Sequence, residues 1–544
     1  MAIDLTPEQR KIGQENFQRA VGQLGLTRRD FMKGLLAAGA AVPIGAAAYY
    51  GYSLDKLAGK PVKAGLIGAG DEGGVLVGEH NPKYLEFVAY CDIRPSNQKR
   101  IFEDEKARNP NSLRRGFKFH YGSDCAKRIK FYEDYRKLLE DPDIEAVVIA
   151  LPLHLHAPVA IDAMKAGKHV LCEKLMAWNI EQCKDMIRVA AETDRVLSIG
   201  HQRHYSMLYA HAVEVLRTGV LGDIKHIRAL WHRNNTWPQL DKNGKEIPGS
   251  IRDSWRPEIK EEDRKALEGR IRQLGYKSIE ELVRWRLYRR TGGGLMAELG
   301  SHQLDACSIF LTALARKNYP GAGEDFKLMP LAVSGVGGKY FYKDDREVED
   351  HVFVTFEFPG PNYYADETMS QVKDKDDLVV VTYSSINTNQ FEPYGECLMG
   401  TRASMVVEME QNVMLYPERG GRSMAVTVST SGGQPALDSA GSGPAAVQAQ
   451  DIGQAALRGP VSRGYREEME HFAYCVRMWD QGASRSDRPR PRCHGQVAMA
   501  DAIIALTANQ AMKKQQRIAF RKEWFDPASP EVPDPDMKPE YITA

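Results

Sequence analysis

Between residues 62 and 200, short apolar runs alternate with longer stretches in which apolar positions return every three or four residues. Val62, Ala64, Leu66 and Ile67 open the series, residues 87–91 form the second run, and residues 144–151 (IEAVVIAL) the third. Apart from Glu145 near its start the third is continuously apolar, as a strand covered on both faces must be. Residues 168–172 and 196–200 complete the set, and helices are expected over 96–108, 132–139, 157–166 and 179–193. Strands alternating with helices of this length predict an α/β unit with a doubly wound parallel sheet. Ligands of such a sheet lie beyond the carboxyl ends of its strands, which places residues 152–156, Glu173, Lys174, His201 and Gln202 on the ligand edge.

Beyond about residue 221 the period shortens to two. Residues 224–233, 332–341, 347–358, 378–383 and 404–410 alternate apolar with polar, which predicts a largely antiparallel sheet in an α+β second domain. Residues 234–290, rich in Trp, Arg and Pro, separate the first two of these runs and read as an insertion near the mouth of the site. Residues 419–462, dominated by Gly, Ser, Ala and Gln, read as a long flexible loop. Helical periodicity returns over 465–479 and 494–515. The expected organisation is an export segment over 1–50, a dinucleotide-binding domain over 60–200, a C-terminal domain over 201–524 and an extended tail over 525–544.

The turn after the first strand reads Gly68-Ala69-Gly70-Asp71-Glu72-Gly73, and the second strand ends on Asp92. This is the outline of a dinucleotide-binding unit: Gly68 for the tight turn, Gly70 for approach of the backbone to a pyrophosphate, Gly73 for close packing of helix on sheet. The following helix would present unpaired N–H groups to the phosphates, with Asp71 and Glu72 in its first turn. A carboxylate at Asp92 can accept hydrogen bonds from both adenosine ribose hydroxyls, which favours NAD, whereas Arg94 beside it could hold the 2′-phosphate of NADP.

A chain of 544 residues is too long for one core, and 27% charged with 43% hydrophobic residues is the composition of a soluble globular protein. A formal net charge of +1 gives no electrostatic case for nucleic acid, and the basic cluster over 284–290 reads as a solvated surface or an anion-facing loop. The eight cysteines show neither a C-x-x-C pair nor metal spacing and read as buried thiols. His154 and His156 form a pair without a third ligand, so no metal is expected. Thr27-Arg28-Arg29-Asp30-Phe31-Met32-Lys33 before the uncharged run 34–50 resembles a twin-arginine export signal, with Ala46-Ala47-Ala48 as a small-residue cleavage site. The expected partner is therefore the twin-arginine translocase and the expected location the periplasm, membrane-anchored if the signal is retained.

Residues 68–73, the run Ala150-Leu151-Pro152 to His156-Ala157-Pro158, the block Ala166-Gly167-Lys168-His169-Val170-Leu171-Cys172-Glu173-Lys174, and Gly292-Gly293-Gly294 followed by Glu298, His302 and Asp305 together resemble the glucose-fructose oxidoreductase / inositol dehydrogenase (Gfo/Idh/MocA) family, over nearly all of 62–520. The resemblance implies a Rossmann domain, a C-terminal open-faced sheet whose outer face mediates homo-oligomers, and redox chemistry on a sugar or polyol. It places the family's E-K-P lysine at Lys174, touching the reacting hydroxyl and the nicotinamide, and its acid/base pair at Glu298 and His302. Leu175 stands where the family has proline, Glu298 where it has Asp, and Leu151-Pro152-Leu153 where it has T-P-N. The implied cofactor wall runs through Leu151, His156 and Glu173.

The chemistry has its own argument. Oxidising a secondary alcohol needs a base for the O–H proton, and a histidine serves near neutral pH. Helical i,i+4 spacing would put Glu298 and His302 on one face, and a lysine on the same oxygen stabilises a developing alkoxide. The alternatives are a solvated turn lysine at 174 and a core or capping histidine at 302, while His156, His201 and His204 are either pocket or structural residues. Three functions fit: an oxidoreductase with tightly bound NAD, NADP being the second choice; a redox-neutral glycoside hydrolase, lyase or epimerase that works through a transient keto-sugar; and a non-catalytic nucleotide-binding scaffold.

Overall fold

The computed structural model describes residues 5–22, 61–106, 113–239, 241, 243–248, 250, 251, 253–318, 325–366, 368–418, 428–431, 434–437, 463–480 and 488–537. The arginine pair at 28–29, the apolar run 34–50 and nearly all of the loop 419–462 lie outside these residues.

In chain order the principal elements begin with helix α1 (Pro7–Gly22), followed by β1 (Val62–Ile67), α2 (Asp71–Glu79), β2 (Leu85–Cys91), α3 (Pro95–Arg100) and β3 (Lys130–Tyr132). Next come β4 (Ala146–Ile149), α4 (His156–Lys165), β5 (His169–Glu173), α5 (Ile180–Glu192), β6 (Leu197–Gly200) and α6 (Met207–Arg217). The first sheet has six strands in the order β3-β2-β1-β4-β5-β6, all parallel. That order reverses direction between β1 and β4, and the crevice at this switch point is where such sheets bind dinucleotides. Every residue of β4 and β5 is buried, as the unbroken apolar run of β4 requires, and β5 buries His169 and Glu173 at its ends as well.

The second half contains β7 (Ile224–His232), α7 (Glu261–Leu267), α8 (Ser301–Asn318), β8 (Ala332–Gly338), β9 (His351–Pro359) and β10 (Leu378–Ile386). It continues with β11 (Tyr394–Gly400), β12 (Ala403–Glu408), β13 (Asn412–Pro417), α9 (Tyr465–Asp480), α10 (Gly495–Lys514) and β14 (Ile518–Ala519). These strands form one eight-stranded sheet, β13-β12-β11-β7-β10-β9-β8-β14, antiparallel except between β7 and β10. Alternation is clean along β10, and its buried Val379, Val381 and Tyr383 share the core beneath α8. Strands β11 and β13 had no counterpart in the alternation pattern.

Two helices late in the chain return to the first sheet. Met469, Phe472 and Val476 of α9 pack with Val62, Leu66 and Phe87 on one face, and Val497, Ile503 and Leu506 of α10 with Val147, Val170 and Ile199 on the other. Helices α9 and α10 therefore contribute to the N-terminal core although they follow the second sheet, and α10 also sends Ile504, Ala508 and Met512 into the core of the second sheet. The tail is anchored as well: Lys184 on α5 donates to the carbonyls of Glu523, Ser529 and Glu531 at 2.7–3.0 Å. Within the stretch set apart as an export segment, α1 packs on the edge strand β13, with Asn16 donating to the Leu415 carbonyl and Arg10 paired to Glu408. All eight cysteines are buried and unpaired. No helix among the described residues is long and apolar enough to cross a membrane.

Candidate functional site

The loop between β1 and α2 has the shape its sequence requires. Gly68 has φ +97°, and a Cβ there would lie 2.3 Å from the Ala150 carbonyl; a Cβ on Gly73 would lie 2.1 Å from the Gly68 carbonyl. Helix and strand thus approach more closely than any side chain permits. The N-terminus of α2 has no side-chain cap, so its first N–H groups are open to a ligand. A groove of about 1250 Å³ runs along this edge, past Gly70, Asp92 and Leu151 to Lys174 and Glu298. The glycine cradle, the uncapped helix and a volume above that of ordinary small-molecule pockets fit a dinucleotide with room for a substrate.

At one end, the buried Asp92 carboxylate accepts from Ala69 N–H at 2.8 Å, Arg94 N–H at 2.8 Å and the Asn97 amide at 3.1 Å. It braces the glycine loop while still lining the groove. The Arg94 guanidinium points away to Asp263 on α7, 3.0 Å from Nε to Oδ2. Asp71 pairs with Arg100 at 2.6 Å. Glu72 and Glu173 both line the groove and each keeps one buried oxygen without a hydrogen bond. Burial and the Glu72 charge push the Glu173 carboxyl well above the usual carboxylate range, against the opposing pull of Lys174. The ring of His156 lies between two strand-end loops, Nδ1 2.7 Å from the Leu175 carbonyl and Nε2 2.9 Å from the Leu151 carbonyl, and the neutral ring that burial favours donates its single N–H to one of them.

At the other end, Lys174 follows β5, its peptide bond to Leu175 is cis, and its Nζ donates to the Glu298 carbonyl at 2.8 Å. Residues Met296–Gly300 form a π turn leading into α8, a feature that recurs at functional sites. The Glu298 carboxylate turns to Arg286, 2.8 Å from Nε, and not to His302. The expected i,i+4 pairing of acid and imidazole is absent because Arg286, delivered by the insertion, is the stronger charged partner. His302, in the first turn of α8, is buried and makes no side-chain hydrogen bond among the described residues. Its ring lies 5.3 Å from that of Trp231, which stacks on Tyr394 at 4.6 Å. Burial, reinforced by the Lys174 and Arg203 charges, holds its pKa well below the ordinary 6.5, leaving the imidazole neutral.

Of the remaining histidines, His204 Nε2 lies 2.8 Å from Asp305 and His201 Nδ1 3.5 Å from the same carboxylate. With Cys493 and Asp501 they converge closely enough to suggest metal ligands, but Lys327 Nζ sits 3.1 Å from Asp501 and 3.5 Å from Asp305. A protonated amine supplies the positive charge of that cluster. The pattern of the chain did not single out Trp231, Tyr394, Arg203 or Asp263, since strand pairing and the insertion's path bring them in. Arg286 had a signal: it lies in the basic cluster 284–290, one of whose two readings was an anion-facing loop.

Residues 62–201 match the model of GFO_IDH_MocA, an oxidoreductase family with an NAD-binding Rossmann fold. Among curated proteins the chain is similar to an alpha-N-acetylgalactosaminidase of Shewanella oneidensis, 29% identical over 196 residues, which are 36% of this chain and 39% of that protein. It is also similar to a glycosyl hydrolase family 109 protein of Shewanella amazonensis, 29% identical over 252 residues, 43% of this chain and 52% of that protein. The matched segment thus spans about two fifths to one half of these relatives. Among solved structures, the aldose-aldose oxidoreductase of Caulobacter crescentus complexed with glycerol superposes with a TM-score of 0.51 at 17% identity, over 85% of this chain and 100% of that one. An inositol dehydrogenase homolog of Azotobacter vinelandii, complexed with NADH and myo-inositol, gives 0.52 at 15% identity, over 85% and 99%. At these identities the likeness is one of fold.

Proposed function

We propose that this chain, whose residues 62–201 match the Gfo/Idh/MocA oxidoreductase family with its NAD-binding Rossmann fold, is an enzyme acting on a hydroxyl of a sugar or polyol with NAD held through turnover. The observation that carries the reading is His302, a buried, neutral imidazole without a hydrogen-bond partner beside an aromatic face, within electrostatic reach of Lys174, which itself lines the groove. A bound NAD would supply the hydride acceptor. Lys174 would hold the substrate oxygen and stabilise its negative charge, and His302 would take the hydroxyl proton as the carbon–hydrogen bond breaks and the carbonyl forms. Trp231 would present an apolar face to the sugar ring, and Arg286 would fix Glu298 and, through its backbone, the position of Lys174.

A second reading has its own support. The relatives named for glycoside hydrolysis suggest a redox-neutral cycle in which a sugar carbon is oxidised, the acidified neighbouring C–H permits elimination of the aglycone, water adds to the resulting double bond, and the hydride is returned to the carbonyl. The export signal over 27–33 favours either closed cycle, because a periplasmic enzyme that released its nucleotide would have none to replace it. We place the protein in the periplasm, as a homo-oligomer through the second sheet.

The test begins with the exported protein, denatured after purification, and mass spectrometry of what it releases. Stoichiometric NAD(H) is expected, together with no sustained reduction of added NAD by any single sugar. Release of no nucleotide would overturn the reading of a cofactor held through turnover. Continuous production of free NADH would leave an ordinary soluble dehydrogenase.

A further inference from the structure

The insertion between β7 and α8 does more than flank the groove. Its helix α7 packs against α3 of the first domain, and Lys99 pairs with Glu262 and Arg270 with Glu133 across the same seam. Tyr276, 3% exposed, stands edge-on to His154 with ring centroids 5.6 Å apart. At the centre of this seam is Asp263, whose side chain is fully buried. Its Oδ2 accepts from Arg94 Nε at 3.0 Å and from Ser96 Oγ at 2.6 Å, and its Oδ1 accepts from Ser96 N–H at 2.9 Å.

Those three donors follow directly after Asp92. A guanidinium, a hydroxyl and a backbone N–H grouped next to the ribose-facing carboxylate are the equipment for a 2′-phosphate, since phosphate oxygens take several charge-assisted hydrogen bonds at once. Here an internal carboxylate, carried in from the other half of the chain, already takes the Arg94 Nε, the Ser96 hydroxyl and the Ser96 N–H. The terminal guanidinium nitrogens of Arg94 make no bond to Asp263, but an anion on them would lie beside its fully buried charge and would find the other donors occupied. An unphosphorylated ribose makes no such demand.

We infer that Asp263 is the specificity-determining residue of the nucleotide site: it stands in for a 2′-phosphate, so that the groove accepts NAD and rejects NADP, and in doing so it latches the insertion over the adenosine end. The inference rests on the cofactor reading of the groove made above. It adds a residue that lies outside the nucleotide-binding domain, and it turns Arg94 from an argument for NADP into part of the mechanism that excludes it.

The experiment compares the full-length wild type with Asp263→Ala and Asp263→Asn. The nucleotides each protein carries through purification are released by denaturation and quantified, and each protein is titrated with ADP-ribose and with 2′-phospho-ADP-ribose. The wild type should carry NAD(H) alone and prefer ADP-ribose. Removing the carboxylate frees Arg94 and Ser96, so the preference for 2′-phospho-ADP-ribose should rise by about 10- to 100-fold, the size of a charged hydrogen bond or two. Asp263→Asn keeps the side-chain shape and removes only the charge, so it answers the same question if Asp263→Ala is too unstable to isolate. Adding Arg94→Ala to either variant should abolish the gain. An unchanged ligand preference in variants that still bind ADP-ribose would overturn the inference and leave the cofactor reading standing, as would a wild type that binds both ligands equally. Failure of the wild type to bind either ligand would bring down the cofactor reading and this inference with it.

Discussion

Replacing His302 with alanine is expected to lower turnover by about two to four orders of magnitude, the usual loss when a positioned general base is removed. Lys174→Ala should do comparable damage by leaving the developing alkoxide unstabilised. The reaction to follow is single-turnover reduction of the bound nucleotide on mixing with a sugar, read from the absorbance of the reduced nicotinamide, because this separates chemistry from any later hydride return. Both variants should retain bound nucleotide, and near-normal rates in both would place the chemistry elsewhere. The pH dependence has a definite sign. His302 must be neutral to accept a proton, and its pKa lies well below 6.5 because of burial and the nearby cations. The acid limb of kcat/KM should therefore fall below pH 6.5, at lower pH than an exposed histidine would give. The same depression lowers stability on acidification, since the unfolded chain takes up that proton first, beginning near pH 6.5.

The second large effect concerns Arg203, one of the largest fully buried side chains of the described residues. Its Nε meets Glu410 Oε1 at 2.6 Å and one terminal nitrogen meets Glu396 Oε1 at 3.1 Å, while that nitrogen also donates to the His302 carbonyl. Arg463 and Tyr209 complete the cluster, each at 3.0 Å from one of the two glutamates. Arg203→Met would leave two buried carboxylates without their shared cation, and a loss of about 3–5 kcal/mol is expected from denaturant unfolding. Burial already raises Glu396 to about 7 in spite of Arg203. Without the guanidinium it should bind its proton more tightly still. A folded-state pKa above the unfolded one means that stability is lost as pH rises, and the variant keeps this proton where the wild type releases it, so the Glu396 part of the penalty should grow as pH rises above about 7. A loss that is small and independent of pH would show the cluster to be hydrated in solution.

These two clusters differ in how far the sequence revealed them. Lys174 and His302 stood in motifs on an element end, so their placement followed from counting along strands. Arg203 and its partners did not, and the reason is local. Strands β12 and β13 are joined through Met409 and Glu410, both at positive φ, 53° and 57°, where no Gly or Asn advertises a turn. The alternation over 404–410 therefore runs past the end of β12 into the turn, and no signal marks β13. That same unusual turn buries Glu410, 2% exposed, against Arg203. A backbone conformation that the residue types disfavour survives because the ion pairs on either side of it are buried and over-determined.

By itself the sequence determined what depends on near neighbours: the parallel sheet from its doubly buried apolar runs, the glycine turn and Asp92 from a spacing that a strand, a turn and a helix make compulsory, and the second sheet from its alternation. Only the tertiary structure decided what depends on partners far along the chain. It sent the Glu298 carboxylate to Arg286, returned α9 and α10 to the first sheet, packed α1 on β13, and set Asp263 against Arg94 and Ser96. The physical reason is common to all four. Local patterns encode which face of an element is apolar, whereas the choice among distant charged or apolar partners is made by burial, where a charge must be neutralised and an apolar face covered by whatever the fold brings within reach.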